Sequence, residues 1–269
     1  PVATCINCGQ TGISISDVPR NEGDQLLVHK LPWILSEVKR WEPIVFRRPG
    51  RETMVFVKRV IGLPGESVQI ADGNIHVDGR LCRKTLAQQR ATRVSVYDDR
   101  FRPPGPSTRW TLGQGWSDRR GRFRFEPAQT ATSWLDYRHR DIDQPGPVRD
   151  RYAYNPRQPR SRTRPVRELM VTLMAIESAA AKRPGQLRIE LDIETHRVAW
   201  VRDLGRGQQW LEIDGRQGTT VGLTRGDVDK ARLLEFSTID DTLQAAVDGR
   251  RVFPASPLDS SARPGFRDR

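Results

Sequence analysis

Short apolar runs closed by tight-turn pairs constrain this chain more than any other feature. Pro43-Ile44-Val45-Phe46 and Met54 to Ile61 are rich in β-branched and aromatic residues and short enough for strands. Ser67 to Ala71 and Asn74 to Val77 flank Asp72-Gly73, residue types suited to the left-handed backbone of a two-residue hairpin turn. Leu63-Pro64-Gly65-Glu66 places proline and then glycine at the central positions, the pattern of a type II turn. Leu187 to Ile193 alternates strictly, as do Val198 to Val201 and Trp210 to Ile213, and Asp214-Gly215 and Asp248-Gly249 repeat the hairpin signal. No regular period links these turns, which argues against a solenoid.

The pattern predicts an all-β protein, with an antiparallel meander early in the chain and a β-sandwich late in it. One segment carries conflicting signals. Val166, Leu169, Met170, Leu173 and Met174 have helical spacing and Ala179-Ala180-Ala181 favours helix intrinsically, yet strand is the expectation for Leu169 to Ile176.

Composition narrows the function classes. At 36% hydrophobic and 29% charged over 269 residues, the chain can bury a sizeable core. Charges interrupt every apolar stretch before about 18 residues, so nothing here spans a bilayer as a helix. There are 45 Lys and Arg against 33 Asp and Glu, a net charge of +12. The excess is mostly arginine, scattered and densest from Arg90 to Arg167, without the clustered stripe and interleaved aromatics of a nucleic-acid footprint. We read it as a solvated surface, with no nucleic-acid partner expected. A nucleic-acid binder driven by that charge would show steep salt dependence. The sequence opens on Pro1 and closes on Phe266-Arg267-Asp268-Arg269, neither a finished strand nor a capped helix, so it is expected to be a piece of a longer chain.

Four segments follow: a partial knuckle and linker (1–22), a catalytic β core (23–84), irregular Arg/Pro-rich loops (85–165) and a β-sandwich-like insertion (166–269). In the first, Cys5-Ile6-Asn7-Cys8-Gly9 has zinc-knuckle spacing, two thiolates two residues apart before a glycine that lets the turn tighten. A structural zinc needs four ligands, and Cys82 and His29 are the further candidates. The expectation is half of a zinc ribbon whose other half precedes Pro1; the alternative is two free thiols in a chain terminus. In the third, Pro103-Pro104-Gly105-Pro106 and Pro145-Gly146-Pro147 break the pattern, and the aromatic islands Trp110, Trp116 and Trp134 to Tyr137 are expected to pin loops to a sheet.

Lys58 is the residue singled out on chemistry. Strand alternation puts it on one face with Met54, Phe56 and Val60, while Arg59 shares the other with Val55, Val57 and Ile61. A lysine on an apolar face is expected to be desolvated, which disfavours the ammonium and leaves an amine able to act as a general base. The alternative is a lysine near a strand end that snorkels to solvent.

Three stretches carry a family resemblance: Gly23 to Lys30, Trp41 to Pro49, and Val57-Lys58-Arg59-Val60-Ile61-Gly62-Leu63-Pro64-Gly65-Glu66. Over residues 23 to 82 they resemble the ordered boxes of type I signal peptidases, and the last is similar to that family's lysine box along nearly its whole length. The resemblance implies a membrane-associated serine endopeptidase that removes signal peptides from exported preproteins with a Ser/Lys dyad and no catalytic cofactor. Lys58 would be the general base, and Val55, Phe56 and Val57 the strand edge that pairs with the extended substrate. It also implies the outer side of the bacterial inner membrane, reached through an anchor outside this chain.

The chain departs from the family at the nucleophile. Where a Ser-Met-x-Pro box is expected, it reads Ser16-Asp17-Val18-Pro19, and a serine beside Asp and Pro is ordinarily turn chemistry. A long bacterial variant of the family is similar in carrying a cysteine-rich zinc ribbon between the serine and Gly-Asp boxes, and a laminin-G-like or lectin-like β insertion after the lysine box. On that resemblance the serine, the first knuckle and the anchor lie before Pro1, and the closing box lies beyond Arg269. Such a chain is expected to be inactive alone. The competing reading is a non-catalytic lectin-like or protein-binding β module on a decayed peptidase core.

Overall fold

The computed structural model describes residues 2–3, 5, 7–8, 10, 12–19, 27–29, 36–71, 73–102, 109–119, 121–126, 132–141, 144–150, 164–177, 185–193, 196–224 and 229–258. In chain order its strands begin with β1 (Val2–Ala3), β2 (Ile13–Ser14), β3 (Pro43–Arg48), β4 (Arg51–Arg59), β5 (Val68–Ala71), β6 (Asn74–Val77) and β7 (Arg80–Leu81). Helix α1 (Leu86–Thr92) follows, then a single 3₁₀ turn at Asp99–Phe101. Short strands come next: β8 (Trp110–Leu112), β9 (Trp116–Arg119), β10 (Arg122–Phe125), β11 (Leu135–Tyr137), β12 (Arg140–Asp141) and β13 (Gln144–Pro145). The last group is β14 (Met170–Ile176), β15 (Gln186–Ile193), β16 (His196–Asp203), β17 (Gln208–Ile213), β18 (Arg216–Gly222), β19 (Ala231–Ser237), β20 (Thr242–Val247), β21 (Arg250–Arg251) and β22 (Ser256–Pro257). The protein is all-β, as its patterning predicts.

Two compact units form, each from two separated stretches of chain: Pro1–Asp24 with Val94–Val166, and Gln25–Arg93 with Arg167–Arg269. The first holds four two-stranded ladders, β1-β2, β8-β11, β9-β10 and β12-β13. Within 85–165, where irregular loops are expected, the described residues form α1, a 3₁₀ turn and paired short strands joined by irregular stretches. The aromatic islands pack on one another: Trp110 lies 5.1 Å from both Phe123 and Tyr137, and Tyr97 lies 5.2 Å from Tyr137. Tyr97 donates to Asp99 at 2.8 Å, and burial, with Asp99 beside it, pushes its hydroxyl up to about 12.

The second unit contains the β3-β4 ribbon, the β5-β6-β7 meander and two larger antiparallel sheets. One runs β14-β19-β20-β21 with β22 also on β20, and the other runs β15-β16-β17-β18. Both sheets feed one apolar cluster: Ile189, Val198, Trp200 and Leu211 from the second meet Leu234, Phe236, Leu243 and Ala245 from the first. Trp200 and Phe236 are fully buried with ring centroids 6.4 Å apart, so the two sheets meet on large apolar side chains. Of the expected strand from Leu169 to Ile176, Met170–Ile176 forms β14 and Leu169 lies just before it. All seven residues of β14 pair with β19, and Val171, Leu173 and Ala175 pack on the core while Met174 and Ile176 stay exposed.

Turn chemistry sets the registers. Ile213 pairs Arg216 across Asp214-Gly215, whose φ values of 51° and 77° are both left-handed, as the two-residue hairpin requires. Asp248-Gly249, at 47° and 82°, does the same between β20 and β21.

Candidate active site

Lys58 sits near the end of β4, opposite Ile44 of β3. Phe46 and Phe56 are also cross-strand partners and stack with centroids 5.8 Å apart, so Ile44, Phe46, Phe56 and Lys58 share one face of the ribbon. The expected desolvation does not hold: Lys58 is exposed, and its side chain has no hydrogen bond or ion pair among the described residues. The physical reason is that, among the described residues, β3-β4 is a two-stranded sheet. Met54, Val55 and Val57 are 49%, 56% and 45% exposed, so neither face is covered by described residues and the alternation surrounds Lys58 with apolar side chains without drying it.

Val55, Phe56 and Val57 pair with Arg47, Phe46 and Val45 along one edge of β4. The opposite edge has no ladder partner among the described residues, leaving its backbone groups available to an added strand.

The chain beyond Lys58 is held rigidly. Arg59 donates to the carbonyls of Trp41 and Ala91, each at 2.7 Å, while Trp41 N donates to Val60 O at 2.8 Å and Val60 N to Glu42 O at 3.0 Å. Gly62 is required where the chain turns against β5, since a Cβ there would come 2.6 Å from Val68 Cγ2. Leu63 to Glu66 then forms the expected type II turn: Glu66 N donates to Leu63 O at 3.2 Å, and Gly65 has a φ of 84°. Glu66 accepts from Leu63 N at 2.6 Å and pairs with Arg40, which also donates to Ile61 O. The Arg40 guanidinium, and then the Leu63 N–H, hold the Glu66 carboxyl below its ordinary value.

This local structure, a lysine at a strand end followed by a glycine contact and a Pro-Gly turn closed by glutamate, falls within a longer match. Residues 14–126 match the family described as signal peptidase, peptidase S26. Over 59 residues the chain is 37% identical to signal peptidase I V of Bacillus subtilis (strain 168), covering 22% of this chain and 34% of that protein. It is 33% identical over 87 residues to a probable signal peptidase I-2 of Synechocystis sp. (strain ATCC 27184 / PCC 6803 / Kazusa), covering 29% and 40%. With signal peptidase I of Bacillus licheniformis it shares 35% identity over 65 residues, covering 24% and 34%. The chain thus spans 34% to 40% of the length of these relatives. No solved structure matches it at a significant level.

Ser16 belongs to the first unit, where it is exposed in a turn closed by Val18 N donating to Ile15 O at 3.3 Å. Cys5 and Cys8 lie in that unit too, both as free thiols, with Cys8 buried and Cys5 half-buried. Backbone hydrogen bonds tie the segment: Cys5 N donates to Gln10 O at 2.8 Å, and Asp98 N donates to Asn7 O at 2.6 Å. Burial opposes the Cys5 thiolate, but N–H groups of Cys8 and Asn7, with the Cys8 thiol, outweigh it and bring the Cys5 thiol below its ordinary value. Burial raises the Cys8 thiol. Two thiols fit half of a tetrahedral zinc site, and no group of three or more metal-ligating side chains occurs among the described residues. Cys82 and His29, the further candidates, belong to the second unit.

Two of the four histidines are tied by side-chain contacts. His196 Nδ1 bonds Asp214 at 2.8 Å at the β17-β18 turn, and His139 Nδ1 lies 3.2 Å from both Arg109 and the Tyr137 hydroxyl. No helix of the described residues is long and apolar enough to cross a membrane. Sequence reasoning missed α1, which carries the Ala91 anchor for Arg59. Its signal was present as Thr85-x-x-Gln88, a capping box in which each side chain bonds the other residue's backbone N–H.

Proposed function

We propose that this chain is part of a signal-peptidase-like serine endopeptidase that removes signal peptides from exported preproteins by Ser/Lys acyl transfer. The observation that carries the reading is the lysine box folded as an ordered unit: Lys58 at the end of β4, anchored through Arg59 and followed by the Gly62 contact and the turn closed by Glu66. In this reading Lys58, as the neutral amine, takes the proton of a serine hydroxyl supplied by chain upstream of Pro1. The alkoxide attacks the scissile carbonyl, and hydrogen-bond donors hold the oxyanion. The substrate adds as an extended strand to the edge of β4 at Val55, Phe56 and Val57. In this reading the serine segment, packed on the exposed apolar face, supplies the desolvation that Lys58 lacks in the described residues. No cofactor takes part in this chemistry.

The same reading places the complete protein at the bacterial inner membrane, with its catalytic unit on the outer side and its anchor outside this chain. Cys5 and Cys8 would give two thiolates to a structural zinc, the other two ligands coming from a second knuckle. A non-catalytic β module on a decayed core is the second reading, and the exposure of Lys58 without a side-chain partner favours it. Incubating the complete parent chain with a preprotein and mapping the product by mass spectrometry tests the proposal. Cleavage after a small residue is expected; an intact preprotein would favour the second reading.

A further inference from the structure

Two buried carboxylates of the sandwich, Asp240 and Glu235, converge on the segment that anchors Lys58. Asp240 and Glu235 are 1% and 2% exposed, each paired with a cation from the lysine-box side of the same unit. Asp240 accepts from Lys84 twice, from Nζ and from the backbone N–H, each at 2.6 Å. Glu235 takes both arms of Arg90 on α1, with Nε to Oε1 at 2.6 Å. Between them, Ser237 Oγ donates to the fully buried Gln89 at 2.9 Å, and Arg83 donates to Thr242 Oγ1 at 3.0 Å. A helix of seven residues does not hold itself together in water, so α1 takes its position from these contacts.

Two lines connect that clamp to Lys58. Through α1, Ala91 O receives Arg59, the residue after Lys58. Through Lys84, the ammonium paired with Asp240 also lies 4.6 Å from the centroid of the Trp41 ring. Trp41 is buried with a φ of 73°, a left-handed conformation that a bulky side chain keeps only when its surroundings impose it. Trp41 in turn bonds Val60 and Arg59, on the other side of the strand end.

We propose that Asp240 and Glu235 of the sandwich are positioning residues that fix the base of the β3-β4 ribbon and thereby the placement of Lys58. The sandwich is then a structural part of the catalytic unit and not an independent module beside it. The inference rests on the reading of Lys58 as general base for its functional half, while its structural half stands apart from that reading.

The test uses the complete chain with Asp240→Asn and Glu235→Gln, read by hydrogen exchange and by preprotein cleavage. Exchange of the Trp41 and Val60 amides should quicken roughly tenfold or more while β15 to β18 keep wild-type rates. Cleavage should lose roughly tenfold or more in kcat with KM little changed, because the β4 edge still pairs with substrate while the base is displaced. Arg59→Lys, which leaves the sandwich contacts untouched, should speed exchange at Trp41 and Val60 without speeding it in α1, so the inference stays testable if the first two variants fold poorly. Wild-type exchange at Trp41 and Val60 in Arg59→Lys, or in either sandwich variant with α1 loosened, would overturn the inference. A loss of cleavage through KM alone would do so as well. Failure of the peptidase reading is seen separately, as a preprotein left intact by the wild-type complete chain, and failure of the Lys58 assignment as cleavage that survives Lys58→Ala.

Discussion

Glu177→Gln should unfold the sandwich unit more readily than any surface substitution, because it strands a buried guanidinium. Arg202 projects from β16 on the core face shared with Val198 and Trp200, and its side chain is 0% exposed. Glu177 takes its Nε at 2.8 Å and its Nη2 at 2.7 Å, Gln209 takes Nη1 at 2.8 Å, and the guanidinium stands 5.3 Å from the Trp200 ring centroid. Glutamine preserves the shape but removes the compensating charge and turns a donor toward donors. Breaking one partner of such a pair costs about 3–5 kcal/mol. At about 2–4 °C per kcal/mol for a unit of this size, the melting temperature should fall by about 6–20 °C. Replacing both partners by methionine should recover most of that loss, since an apolar pair of similar volume needs no compensation. Urea titration followed by tryptophan fluorescence and far-UV circular dichroism measures all three proteins. A Glu177→Gln stability within about 1 kcal/mol of wild type, or a double-methionine variant no more stable than Glu177→Gln, would refute the burial argument.

Three further outcomes follow from other sites. Glu66 is held below its ordinary value by Arg40 and the Leu63 N–H, so its contribution to stability is present above the unfolded carboxylate range and is lost as pH falls through its lowered folded value. Melting curves from neutral to acid pH should therefore fall less steeply for Glu66→Gln than for wild type; parallel curves would contradict the assignment. Gly215→Ala meets open space but a φ of 77°, so calorimetry should record a loss of about 1–2 kcal/mol from backbone strain alone. In the complete chain, Cys5→Ser and Cys8→Ser should each lower bound zinc, measured by elemental analysis, from about one equivalent toward none; unchanged metal content would remove both thiols from the site.

Legibility in the sequence tracked locality. The turns at Pro64-Gly65, Asp214-Gly215 and Asp248-Gly249 could be read because a left-handed φ is a property of one or two residues. Asp78-Gly79, with φ values of 49° and 74° between β6 and β7, carries the same local signal. Helical spacing at Leu169 to Met174 lost to seven cross-strand partners in β19, a tertiary outcome that intrinsic propensity does not encode. The surroundings of Lys58 were misjudged for a related reason: alternation says which residues share its face, whereas burial depends on what covers that face. The clamp from Asp240 and Glu235 to Lys84 and Arg90 joins positions about 150 apart and leaves no local trace. In the first unit, scattered arginines proved partly structural, since Arg102 bridges Asp99 and Asp118 beneath the Phe123 ring.

Preprotein cleavage by the complete parent chain carrying Lys58→Ala tests the central claim most directly. Lys58 is exposed and makes no hydrogen bond or ion pair among the described residues, so its loss should shift stability by no more than about 0.5 kcal/mol. The account predicts that cleavage is abolished while circular dichroism and thermal unfolding stay at wild type. Cleavage retained near the wild-type rate in a folded Lys58→Ala protein would contradict it.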